Sequence, residues 1–235
     1  MGIESINRMS TPDIRMASVM IGIVTNNKDP EKQARVKLKL PILGLDKETD
    51  WVRIATLMGG KEMGSLFIPE VNDEVLVAFH LGDLSQPIVI GTLWNGKQAP
   101  PKGEDNNTVR KIVSKKGHEI TFNDDDSKAA VTVKTKKGHT LELSDKDDKL
   151  TVKDKSGNNS IVMDGSGNKV TIKSSTSEIT MSASGDISIK SNKAIELSST
   201  QIKLEAKAQL SLKAGMVDIN ADGILNIKGS MVKIN

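Results

Sequence analysis

From Ile120 onwards, one small unit recurs along the chain: two apolar residues separated by a single residue, followed by small or polar residues. The fourteen pairs are Ile120/Phe122, Val131/Val133, Leu141/Leu143, Leu150/Val152, Ile161/Met163, Val170/Ile172, Ile179/Met181, Ile187/Ile189, Ile195/Leu197, Ile202/Leu204, Leu210/Leu212, Val217/Ile219, Leu225/Ile227 and Val232/Ile234. Residues at i and i+2 share one face of a strand, so the repeat predicts a stack of short β-strands. The spacing between pairs falls from 11 residues to 7 or 8. We therefore expect the strands to shorten and the stack to narrow towards the C-terminus.

The repeat favours an assembly of three chains over a domain that one chain closes by itself. Each later unit offers two aliphatic side chains and, four residues after the first, a small residue such as Ala206 or Ala214. Three chains wound together bury these side chains on a shared axis, with each strand between strands of the other two chains. At about 4.8 Å per strand, fourteen units give a needle roughly 65 Å long. A single-chain parallel β-helix is the alternative, and it predicts repeats of constant width.

The core of the predicted trimer consists of the aliphatic pairs of the last eight units. They are Ile179, Met181, Ile187, Ile189, Ile195, Leu197, Ile202, Leu204, Leu210, Leu212, Val217, Ile219, Leu225, Ile227, Val232 and Ile234. Only the assembled trimer buries these side chains, so we expect no folded monomer.

The first hundred residues have the composition of an ordinary folded domain. All seven prolines lie at or before Pro101, and all five aromatic residues lie at or before Phe122. Five predicted strands, separated by turn-forming residues, cover Val19–Thr25, Arg35–Leu40, Trp51–Ala55, Glu74–Phe79 and Ile88–Leu93. Five short strands with a long connection between the third and the fourth indicate an oligonucleotide/oligosaccharide-binding (OB) type of barrel.

The chain is thus predicted to be all-β, with an N-terminal OB-type barrel followed by an intertwined trimeric β-helix (β-prism) needle. The predicted domains are an N-terminal arm over residues 1–18, the barrel over 19–96, a linker over 97–116 and the tapering triple-stranded β-helix over 117–235. The stretch Asn95–Asn107 at this boundary contains Gly96, Pro100, Pro101 and Gly103, a composition that opposes helices and central strands.

Charge and composition exclude several classes of function. The 33 basic and 30 acidic residues give a net charge of +3, so a nucleic acid is not the expected partner. The chain has no cysteine, which excludes disulfides and cysteine-based metal sites. Residues 1–18 contain no apolar run of the length that a signal peptide needs, and we expect assembly in the cytoplasm.

No catalytic residue, metal site or cofactor is predicted. His80, His118 and His139 do not have the spacing of metal ligands and are interpreted as turn or strand residues. Two acidic runs lack the glycine and the closing glutamate of a calcium loop and are interpreted as solvated turns. These runs comprise Asp124, Asp125, Asp126, Asp145, Asp147 and Asp148. The pattern contains no arrangement of nucleophile and base, or of paired carboxylates, that indicates an enzyme.

Three stretches resemble one known family. The segment from Ile21 to Asn95, with IGIVTNNKDPEKQARVKLKLP and DWVRIATLMGGKEMGSLFIPEVNDEVLVAFHLGDLSQPIVIGTLWNG, resembles the barrel of the central spike of contractile injection systems, namely phage baseplate assembly protein V and the VgrG proteins of type VI secretion. The stretches KKGHEITFNDDD and KKGHTLELSD resemble the entry to that family's needle. In the Pro69–Val75 turn, Asn72 stands where the family often has glycine, and asparagine tolerates a left-handed backbone.

The resemblance implies a non-enzymatic, homotrimeric spike that sits on a hub and pierces a target envelope when a sheath contracts. It implies that residues 1–18 contact a separate hub protein and that the particle is a phage tail, a tailocin, an extracellular injection system or a type VI-like apparatus. It further implies a separate tip protein of the PAAR type, which Lys233, Ile234 and Asn235 would contact. The target membrane would be contacted only during puncture, and no nucleic acid would be bound.

A binding function is the alternative. In that interpretation the OB-type barrel is a binding module and the β-helical segment is a fibre for receptor or nucleic-acid binding. The barrel has only four aromatic residues, which is few for a surface on which bases stack. A receptor-binding fibre would also need an enlarged C-terminal head, whereas the repeats become shorter there.

Overall fold

The structure, a computed structural model, describes residues 19–41, 47–103 and 105–234. The first seven strands are β1 (Met20–Asn26), β2 (Lys37–Lys39), β3 (Arg53–Ile54), β4 (Gly59–Gly60), β5 (Met63–Gly64), β6 (Glu74–Phe79) and β7 (Pro87–Leu93). Five of them form one sheet in the order β2-β1-β6-β7-β3, with β3 parallel to β7 and the other pairs antiparallel. The residues described contain no α-helix.

The sheet closes into a barrel between its two outer strands. Val36 and Val52, which precede β2 and β3, form a bridge in which each backbone N–H donates to the carbonyl of the other, at N···O distances of 3.0 and 2.7 Å. Both ends of the strand order are thereby joined, so the sheet has no open edge at this point. The predicted all-β class and the predicted OB-type barrel are confirmed, and all five predicted barrel strands are present.

The barrel is filled by branched aliphatic side chains that alternate along the strands. The buried set consists of Val24, Val36, Leu38, Leu40, Val52, Val75, Val77, Phe79 and Val89. On β2, Leu38 is fully buried while Lys37 and Lys39 on either side point outwards. This alternation is the one that the sequence predicted, and the interior is too small to hold anything except side chains.

The loop between β1 and β2 is organised around one carboxylate. Asp29 accepts hydrogen bonds from the backbone N–H groups of Glu31, Gln33 and Arg35 and from the Arg35 guanidinium, whose Nη2 lies 2.8 Å from Asp29 Oδ1. The Asp29 side chain is only 3% exposed. These bonds, with the Arg35 contact foremost, hold the pKa of Asp29 well below its usual range. The carboxylate thus replaces the backbone partners that a loop lacks.

A tight turn leads into β6. Asn72 has a φ of 76°, and its N–H donates to the carbonyl of Val24 at 2.8 Å. Asp73 closes the turn, because its carboxylate accepts from the N–H of Glu70 at 2.8 Å and its own N–H donates to the Glu70 carbonyl at 3.0 Å. The left-handed conformation expected of Asn72 is confirmed.

The second part of the chain forms one long antiparallel sheet. Its strands are β8 (Val109–Val113), β9 (Glu119–Asn123), β10 (Ala130–Lys134), β11 (Thr140–Ser144), β12 (Lys149–Lys153), β13 (Ser160–Asp164), β14 (Lys169–Ser174), β15 (Ser177–Met181) and β16 (Ile187–Ser191). Each strand pairs with the next along the chain, which makes a meander of nine strands. The alternative of a single-chain parallel β-helix is therefore wrong for this segment. The sheet begins at Val109, inside the stretch that the sequence assigned to a linker.

Two expectations about these strands are wrong. Strands β9 to β16 pair with neighbours in their own chain and do not alternate with strands of other copies, because turns of two to six residues connect them as hairpins. Gly117 and Gly138, with φ of 79° and 96°, supply the left-handed conformation in two of these turns. The strands also do not shorten: β14 has six residues and the other eight have five, so the changing repeat length reflects the turns.

Residues 192–234 differ from the sheet that precedes them. They continue the repeat of apolar pairs but contain no strand, and every one of them is exposed. The backbone N–H and C=O groups of residues 192–234 therefore have no strand partners among the described residues.

One ion pair connects the barrel to the long sheet. Lys115, in the turn between β8 and β9, donates to Glu70 of the barrel at an Nζ···Oε2 distance of 2.7 Å. This contact lowers the pKa of Glu70. The turn before β6 therefore lies next to the first turn of the long sheet.

Candidate functional site

The apolar pairs of the repeat form two unbroken columns across one face of the long sheet. Residues directly opposite each other on adjacent strands belong to the same column. The first column is Ile112, Ile120, Val133, Leu141, Val152, Ile161, Ile172, Ile179 and Ile189. The second is Phe122, Val131, Leu143, Leu150, Met163, Val170, Met181 and Ile187. We call these residues the apolar face. The register thus joins every pair of the repeat up to Ile189.

The apolar face is open to solvent along its whole length. Fifteen of its seventeen side chains are exposed, from 36% at Val131 and Ile179 to 69% at Ile187, and Leu150 and Val170 are partly buried. The largest apolar patch of a typical monomer covers a few hundred Å², and a continuous patch spanning nine strands exceeds the usual pattern of isolated surface residues. Such a face is a candidate surface for assembly with other polypeptides.

The opposite face of the sheet is polar, and its charged side chains form cross-strand pairs. Its central column is rich in threonine and comprises Thr121, Thr132, Glu142, Thr151, Val162, Thr171 and Thr180. Charged residues on either side of this column meet residues of opposite sign on the next strand: Lys149 lies 3.6 Å from Asp164, and Lys173 is paired in register with Glu178. Such pairs stabilise a sheet in water. The two faces therefore differ in chemistry, and no described residue covers the apolar one.

The predicted trimer core is divided between two environments. Ile179, Met181, Ile187 and Ile189 lie on β15 and β16 and continue the two columns without a break. The remaining twelve predicted core residues lie in residues 192–234, where exposure of their side chains runs from 52% at Ile202 to 92% at Ile234. Of the predicted tip contacts, Lys233 and Ile234 are exposed, and Asn235 lies outside the described residues.

Sequence reasoning missed the first strand of the apolar face. Ile112 on β8 lies opposite Ile120, but Arg110 occupies the position opposite Phe122. Because Arg110 stands where a second apolar residue would complete the pair, the repeat is only half present in VRKIV. The single apolar residue Ile112, five residues before Gly117 of the following turn, was the signal in the sequence that indicates this strand.

The turns of the sheet hold their acidic residues by local hydrogen bonds. Asp154 accepts from Asn159 Nδ2 at 2.8 Å and from Ser156 Oγ at 2.9 Å, and these bonds lower its pKa to about 2. Asp125 accepts from the N–H and the hydroxyl of Ser127, which lowers its pKa. These carboxylates therefore serve as turn-forming acceptors.

The described part of the chain contains no group of three or more His, Cys, Asp or Glu side chains that are placed to hold a metal ion. His118 lies in the turn before β9, where its Nδ1 accepts from the N–H of Lys136 at 3.4 Å. The turn role proposed for this residue is consistent with that contact. In the same ranges, no helix has the length and the apolar character needed to cross a membrane.

Comparison with known proteins finds a family model that matches the barrel. Residues 20–94 match the family model described as the type VI secretion system/phage-baseplate injector OB domain. The barrel is similar to this injector OB domain. The matched segment has the same limits as the closed barrel, since it runs from the first residue of β1 to the residue after β7. The resemblance to the spike proteins of contractile injection systems is thereby confirmed.

The curated relatives are much longer than this chain. The type VI secretion system spike protein VgrG5 of Pseudomonas aeruginosa is 39% identical over 67 residues, which are 28% of this chain and 8% of VgrG5. VgrG1a of the same organism is 33% identical over 87 residues, covering 34% of this chain and 14% of VgrG1a. The actin cross-linking toxin VgrG1 of Vibrio cholerae is 26% identical over 111 residues, covering 43% and 10%. The similarity thus spans less than a sixth of the length of each of these relatives.

Proposed function

We propose that this chain is the non-enzymatic central spike of a contractile injection apparatus, and that three copies join through the apolar face to form its needle. The observation that carries this proposal is the pair of apolar columns, which run over nine and eight strands next to the injector OB-type barrel and have no partner among the described residues. Burying a half-exposed aliphatic side chain contributes roughly 1 kcal/mol, so seventeen of them per copy supply a strong drive for assembly.

The width of the apolar face favours three copies. Each five-residue strand contributes two apolar side chains, and a flat two-layer sandwich would present a wider inner face. Three narrow sheets arranged as the sides of a prism instead bring their two columns to one axis. The long antiparallel sheet is of the kind that a β-prism uses for each side, and its polar face would then lie outside.

Residues 192–234 form the lower part of the proposed needle. In the trimer, their apolar pairs continue towards the axis, and strands of the other two copies supply the backbone partners that the single chain lacks. The needle therefore changes from sheets paired within each chain to strands paired between chains at about Asn192. The taper predicted from the repeat would apply to this lower part.

The remaining parts of the proposal follow from the relatives. The relatives named as spike proteins belong to type VI secretion systems, and the injector OB domain occurs in phage baseplates as well. We place the chain in such a particle or secretion apparatus, after assembly in the cytoplasm. Residues 1–18 would contact a separate hub protein, and the end at Lys233, Ile234 and Asn235 would receive a tip protein of the PAAR type. Contraction of a sheath would drive the needle through a target envelope.

Two measurements on the purified chain test this function. Light scattering should give three times the mass of the 25.3 kDa chain, and a mass near that of one chain would contradict the proposal. Electron microscopy should show a barrel-like head with a needle roughly 65 Å long, from about 4.8 Å per strand. In particles purified from a strain that makes them, the chain should lie on the axis below the tube, whereas its absence there would rule out a spike.

A further inference from the structure

The meander places its turns alternately at two opposite lateral edges of the long sheet. Each turn reverses the chain, so every second turn lies on the same side. The first edge carries the turns 114–118, 135–139, 154–159 and 175–176, and the second edge carries 124–129, 145–148, 165–168 and 182–186. Most of the charged turn residues lie in the upper half of the sheet, from β8 to β12.

The two edges have opposite charge in this upper half. On the first edge, turns 114–118 and 135–139 each contain two lysines and no acidic residue. On the second edge, turns 124–129 and 145–148 each contain three aspartates and one lysine. The sequence interpretation of these runs as solvated turns explains their exposure, but it does not explain why basic residues predominate on one edge and acidic residues on the other.

Several of these charges have no partner among the described residues. Lys115 is engaged with Glu70, and Asp124 with Arg110. Six further members form no ion pair among the described residues and are exposed: Lys116, Lys136 and Lys137 on the first edge, and Asp126, Asp145 and Asp147 on the second. Each edge therefore keeps at least three ions available for a contact outside the chain.

We propose that the basic first edge of one copy docks against the acidic second edge of the next copy around the threefold axis. This inference rests on the trimer proposed above. Cyclic symmetry joins subunits head to tail, so each corner of a three-sided prism brings a first edge against a second edge. Opposite charge at that contact favours association and fixes its geometry.

The heights of the turns fit such a contact. Along the needle, turn 124–129 lies between turns 114–118 and 135–139, about one strand spacing of 4.8 Å from each. An acidic turn of one copy can therefore lie between two basic turns of its neighbour. A copy inverted along the axis would bring a basic edge against a basic edge, so the charges select parallel chains in one register.

The test exchanges the charges of the two edges. The exchanged variant carries Lys116→Asp, Lys136→Asp and Lys137→Asp together with Asp126→Lys, Asp145→Lys and Asp147→Lys, which leaves composition and net charge unchanged. Alone it should form trimers, because each corner again joins opposite charges. Co-expressed with tagged wild type, it should be excluded from wild-type trimers, because mixed corners join like charges. Native mass spectrometry of the tagged material counts the mixed trimers.

The control is tagged wild type co-expressed with untagged wild type, for which random association at equal expression makes about six sevenths of the tagged trimers mixed. We expect the exchanged variant to lower the mixed fraction at least about tenfold. Mixing at the control level, or failure of the exchanged variant to form trimers alone, would overturn the charged contact and leave the trimer standing. Wild-type chains that are monomeric by mass would overturn the proposed function itself.

A second measurement does not depend on the exchanged variant. The rate at which denatured wild-type chains reassociate should fall as salt is raised, because exposed charges are screened beyond about 10 Å. The variant Lys116→Gln, Lys136→Gln and Lys137→Gln should lose most of this salt dependence. A matched variant with Lys193→Gln, Lys203→Gln and Lys207→Gln, outside the two edges, should keep it. Equal salt dependence in both variants would overturn the contact.

Discussion

Ile172 on β14 lies directly opposite Ile179 on β15, and both side chains are more than a third exposed. On the other face of the same two strands, Thr171 lies opposite Thr180. Adjacent residues on one strand thus occupy two surfaces of different chemistry. This arrangement allows the role of each face to be measured with substitutions one residue apart.

Ile172→Lys should abolish the trimer, because assembly would bury an ammonium group without a partner at a cost on the order of several kcal/mol per copy. Light scattering should then give the mass of one chain or an aggregate. Thr171→Lys is the matched control, since it adds the same charge to the polar face of the same strand, and it should remain trimeric. Trimers of equal thermal stability in both variants would exclude the apolar face as the interface.

Asn72→Val should destabilise the barrel, because a β-branched residue at a φ of 76° costs about 1–2 kcal/mol. Asn72→Gly should leave the free energy of unfolding within about 0.5 kcal/mol of wild type or raise it, since glycine adopts this conformation freely. Both tryptophans, Trp51 and Trp94, belong to the barrel, so tryptophan fluorescence during urea unfolding reports on this domain. Equal destabilisation by both substitutions would mean that the asparagine side chain, and not its backbone, matters at this position.

Removing the charge of Asp29 should make the barrel less stable at neutral pH and less sensitive to acid. The pKa of Asp29 is lowered in the folded state, chiefly by Arg35, so its contribution is fully present above the unfolded pKa of about 3.9 and is lost as the pH falls through the folded pKa. At pH 7, the Asp29→Asn variant should melt at a lower temperature than wild type. Below about pH 4, the difference in melting temperature between the two proteins should become smaller.

Glu31→Gln is the control for Asp29. Glu31 also contacts Arg35, at 3.1 Å, but its side chain is 61% exposed. Exposed ion pairs contribute little, so this variant should melt close to wild type at every pH. If Glu31→Gln lowered the melting temperature as much as Asp29→Asn does, the stabilisation would come from net charge and not from the hydrogen bonds of the loop.

Engineered cysteines should distinguish pairing within a chain from pairing between chains. The chain has no cysteine of its own, so any disulfide comes from the substituted positions. Ser177 and Ser191 lie opposite each other on β15 and β16, with their Oγ atoms 3.3 Å apart, and the double variant Ser177→Cys, Ser191→Cys should form a disulfide within one chain. In non-reducing electrophoresis it should migrate as a monomer.

A single Ala206→Cys should instead link two copies, because the small residue of each lower unit is proposed to approach the shared axis. Mild oxidation should convert most of this variant into a covalent dimer that reduction reverses. Ser156→Cys, in an exposed turn on β12–β13, is the control and should cross-link far less. Equal cross-linking at both positions would contradict the winding of residues 192–234 around one axis.

The barrel was predictable because local pattern and final fold agree there. Alternating residues such as Lys37, Leu38 and Lys39 mark one buried and one wet face, and the turn at Asn72 needs a residue that accepts positive φ. The short hairpin of β4 and β5 lies in the long connection predicted between the third and the fourth barrel strands, where Gly59–Gly60 and Met63–Gly64 carry no strand-forming residues. It forms because the backbone closes on itself, which leaves no trace in the apolar pattern.

The apolar face was predictable in content but not in pairing. A repeat of two apolar residues fixes which side chains share a face, and Ile187 and Ile189 lie where that rule places them. Whether the neighbouring strand belongs to the same chain depends on the turn, and Gly185 in SASGD supports a hairpin that the apolar pattern does not reveal. The opposite charges of the two edges also depend on pairing, because only the meander assigns alternate turns to alternate sides.

The order of synthesis gives the unpaired segment a consequence for biogenesis. Strands β8 to β16 leave the ribosome before residues 192–234, and each can fold onto its predecessor as it emerges. The nascent chain therefore exposes the apolar face while residues 192–234 are still inside the exit tunnel. Chaperones that recognise apolar surfaces would meet every copy at this stage, before residues 192–234 emerge.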